Sequence, residues 1–285
     1  MVAEPVLDIL TCPVCRSHLS PGNQGLHCLA GHSFDRARQG YVNLRSGRRG
    51  AVAGDTADML ADRAGFLGAG YYAPIADSVT ASVAAGLPAT PGERPVVLDV
   101  GAGPGYYLAR VLDAVPSAWG VAMDVSTPAL RRAARAHPRA AAIGADAWST
   151  LPIRDGSVAA VTDIFAPRNV TEFHRVLRPG GCLVVVTPAA EHLTELVETF
   201  GLISVDENKE RRLDEVMSGW FTAERSDELR YSIHLDRAAA EQLIGMGPSA
   251  FHLTAAERAS RLLAVASPLR VTISVHVTRF RPAIR

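Results

Sequence analysis

The apolar residues divide the chain into an N-terminal stretch with little periodicity and a long remainder in which strand and helix patterns alternate. PVVLDVG (95–101) is a nearly continuous apolar run ending in Asp and Gly, the pattern of a buried parallel strand. YYLARVLDAV (106–115) repeats apolar residues at helical spacing, and WGVAMDV (119–125) is a second strand. TPALRRAARAHP (127–138) reads as a capped helix closed by Pro138, and AAAIGAD (140–146) as a third strand. SVAAVTDIFAP (157–167) is a fourth strand, EFHRVLRPGG (172–181) a helix with a glycine stop, and CLVVVTP (182–188) a fifth strand. Helical and strand patterns continue through 190–265, and RVTISVHVTRF (270–280) alternates as a strand should. Repeated βαβ units of these lengths predict an α/β fold with a doubly wound parallel sheet. Ahead of it, residues 55–86 carry two helical patterns split by Gly70 and Pro74, with Asp55 or Thr56 as the first cap.

Composition changes this picture little. The chain has 285 residues, 48% of them hydrophobic, enough for one large domain plus a small module. Lys+Arg and Asp+Glu both number 29, so any nucleic-acid binding must come from local patches. No apolar run is long enough to cross a membrane, and MVAEPVLDIL lacks the basic and apolar regions of a signal peptide. A cytoplasmic protein is the expectation, and in that compartment the four cysteines are not expected to form structural disulfides.

The cysteines themselves add chemistry. Cys12 and Cys15 form C-x2-C, and Cys28 and His32 form C-x3-H after twelve intervening residues. Zinc takes four tetrahedral nitrogen or sulfur ligands, and this spacing is that of a zinc ribbon. His18 and His27 are nearby, but His27 adjoins Cys28 and its side chain should point away from the shared ion, so His32 is the expected fourth ligand. A closed Cys3His set leaves no open position, which makes the metal structural. Cys182 lies in an apolar strand and reads as a core thiol. After the knuckles, SFDRARQGYVNLRSGRRG (33–50) carries Arg36, Arg38, Arg45, Arg48 and Arg49 against Asp35 alone. It is either a solvated linker or an arm that grips phosphates. The expected domains are therefore a zinc module over 1–46 and a catalytic domain over 47–285, with 47–90 a helical lead-in.

The loop between the first strand and helix of the βαβ series holds Asp99, Gly101, Gly103 and Gly105. Glycines there let backbone approach a ligand, and the helix start offers free N–H donors. The loop is G-x-G-x-G rather than the dinucleotide G-x-G-x-x-G. Asp124 ends the next strand, where an acid can hold both ribose hydroxyls of a nucleoside. LRPGG (177–181) leading into CLVVVTP resembles the late helix–turn–strand signature of class I (Rossmann-like) methyltransferases, which favours S-adenosylmethionine over a nicotinamide. Asp146 is either a partner for the adenine amino group or a turn acid before Trp148.

Taken together, CPVC with C-x3-HSFD, ARQGYVNL, DTADML, AGYYAP, LDVGAGPGYYL, DVSTPALRRAARAHP, FAPRN, LRPGG and TPAAEHLTEL resemble the RlmA-type 23S rRNA guanine-N1 methyltransferases, nearest to their TlrB-like macrolide-resistance branch. The resemblance runs from the knuckles to about residue 265. It implies methylation of N1 of a guanine in hairpin 35 of 23S rRNA, free or in a large-subunit precursor, with macrolide resistance, RNA recognition by the zinc module, and a homodimer. It also implies cofactor contacts from Tyr72, Gly103, Pro104 and His192, although Pro104 replaces a polar residue found in some members and can contribute only backbone.

Methyl transfer is an in-line displacement that depends mainly on alignment, but guanine N1 must also lose its proton. DIFAPRN (163–169), after the fourth strand, is the best-placed segment: Phe165 to stack on the base, Arg168 and Asn169 to hold O6, and Asp163 as base or structural acid. Two rivals stand beside this reading: a methyltransferase of a small antibiotic precursor, and a nucleic-acid-binding protein with an inactive methyltransferase domain.

Overall fold

The computed structural model describes residues 2–45, 54–87, 92–200, 215–247, 254–265 and 267–283. Its N-terminal part holds a short helix α1 (Glu4–Leu7) and an antiparallel three-stranded ribbon, β1 (Leu19–Pro21), β2 (Gly25–Cys28) and β3 (Ser33–Asp35). Then follow β4 (Val42–Asn43), α2 (Ala57–Gly68), α3 (Ala73–Gly86), β5 (Val96–Val100), α4 (Tyr106–Ala114), β6 (Trp119–Asp124), α5 (Thr127–Ala133) and β7 (Ala140–Gly144). The chain closes with β8 (Val158–Ile164), α6 (Val170–Val176), β9 (Leu177–Pro188), α7 (Thr194–Phe200), β10 (Phe221–Leu235), α8 (Arg237–Gly245), α9 (Ala255–Leu263) and β11 (Leu269–Pro282).

Eight strands form one sheet in the order β10-β11-β9-β8-β5-β6-β7-β4. The six from β9 to β4 are parallel. β11 runs antiparallel to β9, and β10 antiparallel to β11. The sheet is thus parallel through its centre, as expected of a doubly wound α/β fold, and mixed at one end. Alternation divides its side chains between two cores. Val97, Ala122, Ala160 and Val184 face α3, α4 and the C-terminal helices, while Leu98, Val121, Val161 and Val185 face α6 and the N-terminal module. The helix expected over 172–181 ends at Val176, because Pro179 cannot continue it and the backbone at Gly180 is left-handed (φ 75°). Pairing then jumps from Leu177 to Cys182, so Arg178–Gly181 bulges out of β9.

The N-terminal module is joined to the sheet along its length. Val6, Ile9, Leu10, Leu19 and Leu26 share one core with the sheet face. Thr11 donates to the Pro152 carbonyl at 3.0 Å, and Arg154 donates to the Ile9 carbonyl at 2.8 Å. β4 is itself the sheet's edge, pairing in parallel with β7 through Val42 and Asn43. The stretch read as linker or arm therefore begins as β3 of the ribbon and goes on to form β4, a strand of the catalytic sheet. The expected boundary at 46/47, with Arg48 and Arg49, lies outside the described residues.

Candidate functional site

The carboxyl ends of β5 and β6 hold the glycine loop by backbone bonds. Gly101 and Ala102 donate to the Met123 carbonyl at 2.9 and 3.0 Å. Gly101 (φ 69°) and Gly105 (φ 82°) are left-handed, and a Cβ on them would come within 2.7 Å of the Ala166 Cβ and 2.9 Å of the Ala136 Cβ. Both positions require glycine twice over, for φ and for space. Gly103 donates its N–H to Asp124 Oδ2 at 2.8 Å, and Ser126 N–H reaches Asp124 Oδ1 at 2.7 Å. Burial raises the Asp124 pKa, and these two bonds oppose the rise. Asp124 therefore shapes the loop as well as marking its floor.

Two further residues complete this floor that sequence patterns did not single out. The Arg63 guanidinium stands 3.5 Å from where a Gly103 Cβ would be, pairs with Asp55, and donates to the Met246 carbonyl at 2.6 Å. Ser126, the α5 cap, donates its hydroxyl to the Asp55 carbonyl at 2.7 Å. In sequence they were one polar residue of a helix and one cap among several.

Asp99 is buried just before the loop. Thr162 Oγ1 donates to its Oδ1 at 2.6 Å, while Oδ2 has no hydrogen-bond partner among the described residues. Burial pushes its pKa up to about 7, against the Thr162 bond, with the Asp124 charge adding to the rise. A buried carboxylate oxygen without a partner beside a left-handed glycine loop suits a ligand that brings a donor or a cation. The ammonium and ribose groups of S-adenosylmethionine meet that description. Pro104 lies in the same loop and can offer only its carbonyl. Asp146 accepts from Trp148 N–H at 2.9 Å and Ser149 Oγ at 3.2 Å, so its carboxylate caps the 146–149 turn.

Beyond the loop, three rings from distant parts of the chain meet. Phe165 stacks on His192 with centroids 5.9 Å apart and planes at 21°. Tyr72 lies 6.3 Å from each of them. Ser274 N–H donates to His192 Nδ1 at 3.3 Å, which leaves the neutral ring's proton on Nε2, 3.5 Å from the Tyr72 hydroxyl. Tyr72 is buried, and burial pushes its phenol far above the usual range. Phe165 is 41% exposed and has φ 53°, a conformation disfavoured for an aromatic residue. Such strain, about 1–3 kcal/mol, concentrates at functional sites.

The rest of DIFAPRN is engaged with the protein. Arg168 Nε stands 3.2 Å from Asp163 Oδ1, yet is not aligned for a hydrogen bond. Burial pushes the fully buried Asp163 up to about 8, against the pull of Arg168. Asn169 donates to the Ala147 and Ser149 carbonyls at 3.0 and 3.4 Å and accepts from Glu172 N–H as the α6 cap. It ties α6 to the turn that presents Trp148, 63% exposed and also missed as a candidate, because a lone tryptophan in a turn has no periodic signal.

In the N-terminal module, Cys12 Sγ, Cys15 Sγ, Cys28 Sγ and a His32 ring nitrogen all lie within 4.8 Å of one another. Cys12 and Cys28 Sγ are 3.6 and 3.3 Å from His32 Nδ1, and Cys15 Sγ is 3.7 Å from Cys28 Sγ. Tetrahedral zinc with bonds of about 2.0–2.3 Å sets ligand atoms roughly 3.5–3.8 Å apart, close to the separations above, so the donor set suits zinc. Burial acts to raise the Cys28 thiol, but His32 and Ser17 outweigh it and bring it down to about 6, toward the thiolate a metal needs. His18 and His27 are exposed and outside the cluster. Cys182 is buried in β9, and burial raises its thiol to about 11, as a core position should.

Comparison with known proteins matches both parts. Residues 10–45 match the family described as RlmA, N-terminal, and residues 97–181 the family described as methyltransferase domain. The 23S rRNA (guanine(748)-N(1))-methyltransferase of Streptomyces fradiae is 46% identical over 97% of this chain and 98% of its own length. A protein of Micromonospora griseorubida named for 23S rRNA (guanine-N(1)-)-methyltransferase activity is 48% identical, again over 97% of this chain and 98% of its own length. A solved structure from Bacillus halodurans, described as a methyltransferase, superposes with a TM-score of 0.50 at 17% identity over 72% of this chain and 98% of its own, a likeness of fold.

Proposed function

The chain belongs to the 23S rRNA (guanine-N1)-methyltransferases with an RlmA-type zinc ribbon, and from that premise we propose that it methylates N1 of a guanine in hairpin 35 of 23S rRNA. The observation within the molecule that carries this reading is Phe165, a half-exposed ring held in a left-handed conformation against His192 and Tyr72, beyond the glycine loop. A flat apolar face there suits an extruded base, since every base has a face to stack.

S-adenosylmethionine, when bound, supplies an electrophilic methyl carbon. The residues of this chain do the rest. Gly101, Gly103 and Gly105 admit it to the backbone, Asp124 meets the ribose, and Asp99 Oδ2 meets the ammonium. Tyr72 and His192, packed against Phe165, stand beside the place where the methyl group and the base would meet. Phe165 stacks on the guanine and turns its N1 toward the methyl carbon. Arg168 donates to O6 as negative charge builds there and the N1 proton passes to solvent water, while Asp163, 3.2 Å from Arg168 Nε, packs beside the guanidinium. Asn169 works one step back, fixing the turn that bears Trp148. The zinc module, with Cys12, Cys15, Cys28 and His32 as its ligands, recognises RNA. The reaction takes place in the cytoplasm, where rRNA is made, and the enzyme acts as a homodimer.

Primer extension across hairpin 35 of rRNA treated with the protein and S-adenosylmethionine tests this, because methylated N1 cannot pair and stops the polymerase. One new stop at a single guanine is expected. Methyl transfer seen only to a small molecule would replace this reading with its rival. Expression in a macrolide-sensitive host is expected to raise tolerance of tylosin- or mycinamicin-type drugs, and unchanged susceptibility would separate the chemistry from resistance.

A further inference from the structure

The segment between the zinc module and the catalytic domain takes a defined path. Gly40 packs on α5, where a Cβ on it would be 3.8 Å from the Ala134 Cβ. Val42 and Asn43 then pair with β7, and Leu44 N–H donates to the Gly144 carbonyl at 2.8 Å. Because β4 is parallel to β7, it delivers Arg45 to the carboxyl edge of the sheet. There the Arg45 guanidinium donates to the Val125 carbonyl at 3.0 Å, one residue beyond Asp124. Residues 36–45 therefore run from the C-terminal end of α5 to the mouth of the glycine loop.

Arginines line this path from both sides. Arg36, Arg38 and Arg45 are exposed on the segment, and Arg131 and Arg135 are exposed on α5 and the turn that follows it. Arg131 and Arg135 are one helical turn apart and flank Ala134, the residue on which Gly40 rests. None of these five forms an ion pair among the described residues. Many arginines elsewhere pair, among them Arg110 with Asp77, Arg175 with Glu172 and Asp155, Arg225 with Asp227, and Arg279 with Glu224. Arg154, Arg237 and Arg270 also lack an ion pair among the described residues but lie apart, on separate parts of the chain. Like charges gathered along one path repel unless an anion covers them. A chain with equal numbers of cationic and anionic residues has thus gathered unpaired cations along one route between its RNA-reading module and its cofactor loop.

We propose that Arg38, Arg45, Arg131 and Arg135 form a phosphate track that holds the RNA backbone between the zinc module and the glycine loop, with Arg45 setting the last phosphate before the target base. The track rests on the reading of the substrate as rRNA. It assigns α5, an element of the catalytic domain, to substrate binding, and it makes β4 the device that fixes the distance from zinc module to active site. Phosphate contacts of this kind position the RNA without reading its sequence.

The test is equilibrium binding of a hairpin 35 transcript to the full chain across a salt series. The comparison is between wild type, the fourfold variant Arg38→Ala/Arg45→Ala/Arg131→Ala/Arg135→Ala, and the same four positions changed to Lys. Each lost phosphate contact lowers the slope of log K against log salt by about 0.7–0.9. The alanine variant should lose roughly 3 from that slope and at least about tenfold in affinity at moderate salt. The lysine variant should keep most of the slope, since the track works by charge. Arg225→Ala, at the far hairpin, should change neither. S-adenosylmethionine binding measured on each variant shows that the fold is intact. An alanine variant that binds S-adenosylmethionine and keeps the wild-type RNA affinity and slope overturns the track while leaving the rRNA reading in place. A wild-type chain with no affinity for the RNA overturns both.

Discussion

Phe165 occupies a backbone conformation that a non-glycine residue leaves unless its surroundings hold it. Its ring lies on His192, whose own tautomer is set by the Ser274 N–H. Base–aromatic stacking contributes about 1–3 kcal/mol, so Phe165→Ala should cut kcat/KM for RNA by roughly ten- to a hundredfold. S-adenosylmethionine affinity should hold, and an unchanged kcat/KM would remove Phe165 from the base pocket. Asp99 makes a separate prediction through pH. Its folded pKa of about 7 lies above the ordinary value of 3.8, so the protonated form stabilises the ligand-free chain. That contribution is complete below about pH 4 and fades as pH rises through 7. A ligand ammonium at Oδ2 favours the ionised form instead. S-adenosylmethionine affinity should therefore rise with pH through about 7 and level off above it, and Asp99→Asn should bind weakly with that rise abolished. A flat profile in the unsubstituted protein would move the ammonium elsewhere.

Among the elements, the zinc ribbon and the sheet are not independent. Cys12 and Cys28 belong to the same core as Leu98, Val121 and Val161, and β4 ties the end of the module to β7. Structural zinc contributes on the order of 10 kcal/mol to the module that holds it. Its removal by a chelator, or Cys28→Ser, should lower the midpoint of a single unfolding transition by more than about 10 °C. Two separate transitions, with the later one unmoved, would show that the sheet stands without the ribbon. Much of this architecture was legible beforehand, because buried parallel strands such as PVVLDVG and capped helices such as TPALRR carry strong local signals. β4 was not, since two paired residues are too short for any period to register. The antiparallel β10 was hidden because, among the described strands, it pairs with β11 alone and its residues are mostly exposed. In the site, the zinc ligands and glycine loop could be read from spacing along the chain. The meeting of Tyr72, Phe165 and His192 could not, because their encounter depends on how three separate elements end at one edge of the sheet.

At the scale of the whole molecule, the glycine loop explains a nucleoside cofactor, the closed Cys3His set explains a structural metal, and the parallel run of β4 connects them. A small-molecule enzyme needs neither the ribbon nor the unpaired arginines between it and the loop. The near full-length match to rRNA guanine-N1 methyltransferases accords with both features. The central claim is that this assembly places a methyl group on N1 of one guanine. Mass spectrometry of nucleosides and mapped fragments from 23S rRNA, incubated with the protein and isotopically labelled S-adenosylmethionine, tests it most directly. The account predicts labelled 1-methylguanosine at a single position in the hairpin 35 fragment. Label at another atom of guanine, in another base, or spread over many fragments would contradict it.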